Sequence, residues 1–156
     1  MLRINAMDLV SAFCMSEEGV SNWLDLDSGE VLLVAAYGDA EDYPDEPKVE
    51  DLENSTRHLF VPPVSSDEAF DWMVRFAENV ADGRVSRELL DSLQKRRPFR
   101  SFKDVLLNFP PEREAWFEFQ RVRLAEAAEG WLEAQGIAAE LVWPEQPKAV
   151  ELRLMK

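Results

Sequence analysis

Two groups of side chains in this sequence could do chemistry. The first is the carboxylate group Asp25, Asp27 and Glu30, carried by the run W-L-D-L-D-S-G-E-V at Trp23–Val31. Acids gathered at a turn can share a divalent cation through their oxygens, or divide the work of general acid and general base. Asp25 and Asp27 have the same parity, so an extended chain would aim both to one side. Asp104 is a further acid that could join them. The same letters also spell a plain turn, because Asp27-Ser28-Gly29-Glu30 is turn chemistry in which Gly29 can take a positive φ. The run is too short for an EF-hand loop and lacks its ligand spacing. The turn is the preferred reading, and Asp25, Asp27 and Glu30 stand as the candidate catalytic residues of a metal-assisted hydrolase. No resident metal or cofactor is expected.

The second group is basic. Lys95, Arg96, Arg97, Arg100 and Lys103 put five cations into nine residues, with Phe99 and Phe102 between them. Cations interleaved with aromatic rings suit a strip that contacts phosphates and stacks bases. The competing reading makes Phe99 and Phe102 core residues and pairs the cations with acids of this chain or a second copy. Exposed pairs of that kind contribute only ~0–1 kcal/mol each. Arg96, Arg97, Arg100 and Lys103 are the candidate binding residues on either reading.

Other chemistries have little to stand on. His58 is the only histidine and Cys14 the only cysteine. One histidine cannot build a His-rich metal site, and no Ser-His-Asp order is legible around it. One cysteine allows neither an intramolecular disulfide nor a Cys-based zinc site. Among Val10, Ala12, Phe13 and Met15, Cys14 reads as a buried, inert thiol. The sequence contains no G-x-G-x-x-G, P-loop, G-x-S-x-G or H-E-x-x-H pattern.

A formal net charge of −14 on 156 residues sets the long-range field. It repels phosphate backbones and anionic membranes, so binding either would need a local basic patch. Nucleic acid is therefore disfavoured as a partner, and the acidic surface serves solubility or docks something basic. An apolar content of 46% is that of a globular chain, and the length suits a single domain spanning 1–156. No apolar run approaches the ~18 residues of a membrane span. The N-terminus has one early Arg and no long apolar core, so it does not read as a signal peptide. A soluble cytoplasmic protein with no membrane partner is expected.

The elements that must position these groups follow from periodicity. Ile4–Met15 suits a helix, capped by Asn5 or Asp8 and closed by Gly19. Val20–Leu26 and Val31–Tyr37 form a β-hairpin about the turn, and the second strand is apolar on both faces. Gly38–Ser55 holds eight acidic residues against Lys48, with Pro44 and Pro47, and reads as a long acidic loop insertion. Arg57–Pro62 is a third strand. Ser65 and Glu68 fit a capping box opening a helix over about 66–81, which Asp82-Gly83 stops. Val85–Lys95 and Ser101–Asn108 are two more helices, the latter with Ser101 and Asp104 as its capping box. Pro111 opens a fourth that runs to Gly136. Its apolar residues, Trp116, Phe117, Phe119, Val122, Leu124, Ala128, Trp131 and Leu132 among them, cover more than one face, so it reads as the central core helix with both tryptophans in the core. Ile137–Trp143 and Ala149–Met155 read as antiparallel strands. Strands and helices are segregated, which favours α+β over a doubly wound fold. The expected architecture is an N-terminal helix and β-hairpin, a central unit of about four helices and a C-terminal pair of strands.

The run at Trp23–Val31, the later F-R-S-F-K-D-V-L at Phe99–Leu106, then Trp116 and the W-L pair Trp131–Leu132 together resemble uncharacterised protein family 0158, a group of small bacterial proteins. The resemblance runs from about Val20 to Val142. It implies a similar length and a similar mix of helices and strands, and it carries no activity, cofactor or catalytic residue to any position. The functional expectation rests on the residues alone. It is a cytoplasmic, non-enzymatic protein-interaction module acting through an unidentified protein partner or through self-association. A metal-assisted hydrolase at the hairpin carboxylates and a nucleic-acid-associated regulator using 95–103 are the alternatives.

Overall fold

A computed structural model of the chain describes residues 1–14, 19–35 and 48–144. The elements are β1 (Leu2–Asn5), α1 (Ala6–Cys14), β2 (Val20–Asp25), β3 (Val31–Ala35), α2 (Val49–Glu53), β4 (His58–Val61), α3 (Ser66–Glu78), α4 (Gly83–Ser92), α5 (Pro98–Leu106), α6 (Pro110–Ala134) and β5 (Ala139–Val142). The fold is mixed α+β as expected: α1 and α2 fall between the strands of the first 61 residues, and the four helices α3–α6 then follow one another before β5. Chain contacts divide it into two compact units, Met1–Pro63 with Ala127–Lys156, and Val64–Glu126.

In the first unit β2 is the middle strand of an antiparallel sheet of order β3-β2-β4. The hairpin and the third strand lie where periodicity places them. Trp23 stands opposite Leu32 and Phe60, and Leu24 opposite Val31 and Leu59. Directly opposed side chains share a face, so Trp23 meets Phe60 edge-on at 5.4 Å between ring centroids. Trp23, Val34 and Leu52 are buried together, with Leu32 and Val49 packed against them. Leu52 belongs to α2, which corrects part of the acidic-loop reading. Residues Val49–Glu53 are helical because Val49 and Leu52, three apart, give the turn an apolar side to bury. The remainder of that segment, 38–47, lies outside the described residues.

The N-terminal helix starts at Ala6, later than periodicity suggests, because Leu2–Asn5 is a strand. β1 pairs parallel with β5 in the register Leu2↔Ala139 to Asn5↔Val142. Asn5 caps the helix that follows, its Oδ1 accepting the Asp8 N–H at 3.1 Å. Leu9, Val10, Ala12 and Phe13 are buried on α1, and Phe13 meets Trp131 edge-on at 5.6 Å. Cys14 is exposed rather than buried, since it is the last residue of α1, past the turns that its neighbours cover. The strand expected at 149–155 lies outside the described residues, and the pairing that β5 shows is the parallel one with β1.

The second unit is helical. Ser65 Oγ accepts the Glu68 N–H at 3.2 Å, as a capping box requires. α3 ends at Glu78 with Asn79 as its C-cap, short of the expected stop at Asp82-Gly83. Asp82 caps the next helix, its carboxylate accepting the N–H groups of Arg84 and Val85. α5 begins at Pro98 instead of Ser101, because proline at the first helical position brings a fixed φ and needs no acceptor for a missing N–H. Ser101 therefore lies within the helix and does not cap it. The core is aromatic: Phe102 and Phe76 each meet Trp116 edge-on, at 5.1 and 5.4 Å, and Phe119 lies 5.6 Å from Phe76. Edge-to-face pairs add to the burial of area alone.

α6 buries some of its apolar residues and leaves others exposed. Trp116, Leu124, Ala128 and Leu132 are buried, and because 16 residues at 3.6 per turn set Trp116 and Leu132 about 160° apart, apolar residues are buried on more than one face as expected, while Phe117 and Val122 are exposed. The Arg113 guanidinium lies 4.9 Å over the Phe117 ring, which shields one of its faces. Trp131 keeps partial exposure and is an edge residue of its core. Two adjacent aromatic residues thus have unequal roles. Trp116→Ala is expected to lower stability by about 3–5 kcal/mol, and Phe117→Ala by less than about 1 kcal/mol. Urea unfolding of the two variants checks this, and equal losses would show that the buried face of α6 is assigned wrongly.

Candidate functional site

β2 ends at Asp25, and the chain turns through Leu26–Ser28 towards β3. The Asp25 amide donates to the Glu30 carbonyl, and the Gly29 amide donates to the Asp25 carbonyl, both at 2.8 Å. The Asp25 side chain is only 8% exposed. A carboxylate so buried must be matched by charge and hydrogen bonds, and this one is. Its Oδ1 accepts the amides of Asp27 at 2.9 Å and Ser28 at 3.2 Å. Arg57 closes a bidentate fork on it, Nε to Oδ1 and Nη2 to Oδ2, both at 2.8 Å. The Arg57 guanidinium holds the Asp25 carboxyl well below the usual carboxylate range, burial opposes this, and the turn amides reinforce it. Arg57 is in turn raised above its ordinary value by the same carboxylate.

This arrangement has a chemical consequence. A carboxylate of such low basicity is a poor general base, and an ionised one has no proton to give as an acid. Asp27 is 72% exposed and lies 3.4 Å from Arg57 Nε. Glu30 is exposed and contributes its backbone carbonyl to the turn. The structure thus brings Asp25 and Asp27 to one guanidinium and leaves Glu30 outside that contact. Asp104 is exposed on α5, in the second unit. Among the described residues no group of three or more His, Cys, Asp and Glu side chains could hold a metal ion.

Sequence reasoning missed the two partners of this carboxylate that come from the other side of the sheet. Arg57 arrives because β4 pairs with β2 so that Asp25 lies opposite His58. The imidazole Nδ1 lies 2.9 Å from Ser55 Oγ, and its Nε2 lies 4.0 Å from Asp25 Oδ2. Ser55, His58 and Asp25 therefore form a line with the residue types of a hydrolytic triad. The 4.0 Å step exceeds a hydrogen bond, and Asp25 Oδ2 already accepts from Arg57. Ser55 Oγ also accepts the Arg57 amide at 3.1 Å, which makes it part of the local turn. Ser55-x-x-His58 was a visible spacing, but only the strand register relates it to Asp25.

The basic segment lies in the second unit, at the join of α4 and α5. Lys95, Arg96, Arg97, Arg100 and Lys103 are all exposed. None has an ion-pair partner among the described residues, whereas Arg75, Arg84, Arg121 and Arg123 each pair with an acid on their own helix. Phe102 is fully buried against Trp116, and Phe99 packs on Phe70 at 6.4 Å. The Phe102 ring belongs to the core, the Phe99 ring is half-buried, and the cations face outward.

Two expected outcomes follow for the hairpin turn. The Asp25 carboxyl is depressed in the fold relative to ~3.9 in an unfolded chain, so its stabilising contribution is whole above about pH 4 and declines as pH falls further. Asp25→Ala should cost about 3 kcal/mol at neutral pH, and the gap to the parent protein should narrow in unfolding titrations taken from pH 7 down to pH 2. A gap that stays constant would show that the ionised form is not what stabilises the turn. Gly29 has φ +81, and a Cβ built there would lie 2.1 Å from the Arg3 carbonyl oxygen. Gly29→Ala should accordingly cost about 3 kcal/mol, from left-handed strain and the clash together; unfolding midpoints measure it.

Comparison with known proteins agrees with the resemblance seen in the motifs. The model of the uncharacterised protein family UPF0158 matches residues 1–148. UPF0158 protein PA5073 of Pseudomonas aeruginosa is 35% identical over 127 residues, which cover 81% of this chain and 80% of the relative. No solved structure matches. With nearly the whole chain matched by the family model and the relative aligned over four-fifths of both lengths, this chain belongs to uncharacterised protein family UPF0158.

Proposed function

We propose that this protein is a non-enzymatic interaction module of the cytoplasm that binds another protein through the basic segment 95–103. The observation that carries this reading is the set of five adjacent, exposed cations with no ion-pair partner among the described residues. In a chain with 31 acidic and 17 basic residues, cations left uncompensated side by side are available to an outside group. The hydrolase reading loses its best acid, because Asp25 is committed to Arg57 and to the turn amides. The nucleic-acid reading loses one of its two stacking rings, because Phe102 is fully buried against Trp116, and the other, Phe99, is half-buried on Phe70. No helix among the described residues is long and apolar enough to cross a membrane.

Capture from the native host tests this. Tagged parent protein and the Arg97→Ala/Arg100→Ala variant are recovered with and without nuclease, and bound proteins are identified by mass spectrometry and rebound in purified form. The expected result is a partner that survives nuclease, rebinds the parent, weakens as salt rises and is lost with the variant while melting temperature holds. Recovery of nucleic acid in place of protein, or a partner that the variant keeps, would overturn the reading.

A further inference from the structure

Resting on that interaction reading, we infer that the segment recognises an acidic stretch of a different protein that carries an apolar side chain among or beside its acids. The outer side of α5 holds Arg100 and Lys103, and Leu107 follows at its C-cap on the same side, at spacings of three and seven residues. The opposite side buries Phe102 and Leu106. Leu107 is 62% exposed, a large apolar side chain beside two cations that have no ion-pair partner among the described residues. Lys95, Arg96 and Arg97 extend the positive strip back from α5, and no acid occupies the first turn of that helix. The surface is therefore cationic at one end and apolar at the other, with the exposed Asp104 beside Arg100 as its one acid on α5. At 1.5 Å per residue the separation from Arg100 to Leu107 is about 10 Å. A complementary segment places carboxylates about that far from a leucine-sized group.

Charge complementarity selects this occupant over the others. A second copy also carries −14, so its approach works against both fields. A nucleic acid would run its phosphates beyond the strip onto the acidic remainder of the surface, and it offers nothing to Leu107. A short acidic segment meets only the strip, with the rest of its protein beyond the Debye length of ~8 Å.

Fluorescence anisotropy with the full chain tests the inference. The probes are a labelled Glu/Asp-rich 12-residue peptide with one leucine, the same peptide with serine in that place, and a 12-nucleotide single strand. The leucine peptide should bind more tightly than the serine peptide by about tenfold, the worth of one partly buried leucine. Leu107→Ser should remove that tenfold difference while leaving the serine peptide unchanged. Arg97→Ala/Arg100→Ala should weaken both peptides and flatten their salt dependence, with circular dichroism confirming that each variant is folded. Equal binding of the two peptides, tighter binding of the oligonucleotide, or salt-dependent self-association abolished by Arg97→Ala/Arg100→Ala would overturn it. If neither peptide binds while the host partner is still lost with the arginine variant, the acidic-segment inference falls and the interaction reading stands.

Discussion

A carboxylate taken out of water has to be compensated on every side, and Asp25 meets that requirement with groups from two places in the chain. The turn beyond β2 supplies two amides, and Arg57, immediately before β4, supplies the guanidinium. The Leu26 amide bonds the Arg57 carbonyl at 2.8 Å, so the backbone follows the same path as the side chain. Hairpin geometry and the register of the third strand are consequently one problem. A slip of β4 by one residue would turn His58 and Phe60 to the other face and take Arg57 away from the buried charge.

The charged residues fall into two kinds. The Asp25–Arg57 pair joins the hairpin turn to β4, whereas the cations of 95–103 make no ion pair among the described residues. Exposed charge pairs contribute little to stability even where they form. The second unit folds on its aromatic core of Phe76, Phe102, Trp116 and Phe119, which leaves the outward residues of the α4–α5 join free of structural duty. This separation makes a surface chemistry possible there without cost to the fold.

Much of the architecture was legible because it is written locally. Ser65 and Glu68 mark a helix start by a bond three residues long, and Asp27-Ser28-Gly29-Glu30 marks a reversal through the φ of Gly29. The parts that were not legible depend on distant partners. Leu2–Asn5 is too short to show a period and becomes a strand only through β5. Leu52 looks like one apolar residue in an acidic stretch, and its burial depends on Trp23 and Val34. The same holds at the candidate site. Asp25, Asp27 and Glu30 stood out by composition, but the guanidinium that decides their chemistry is 32 residues away from Asp25 and enters through strand pairing. Phe117 and Val122 misled because composition counts apolar residues, while burial counts what lies over them.

The parallel pair of β1 and β5 sets a timetable for synthesis. Leu2 is made 137 residues before its partner Ala139. At 5–20 residues per second the interval is on the order of ten seconds. Throughout it, Leu2 and Ile4, which is fully buried in the finished protein, belong to a strand without its mate. Residues 64–126 are all made within that interval, so the helical unit has its whole sequence while the first strand is still waiting. The β1–β5 pair joins residues 137 apart, and contacts of such range form late because their loop entropy must be overcome first. The growing chain therefore carries Leu2 and Ile4 uncovered for seconds before the strand that pairs with them exists.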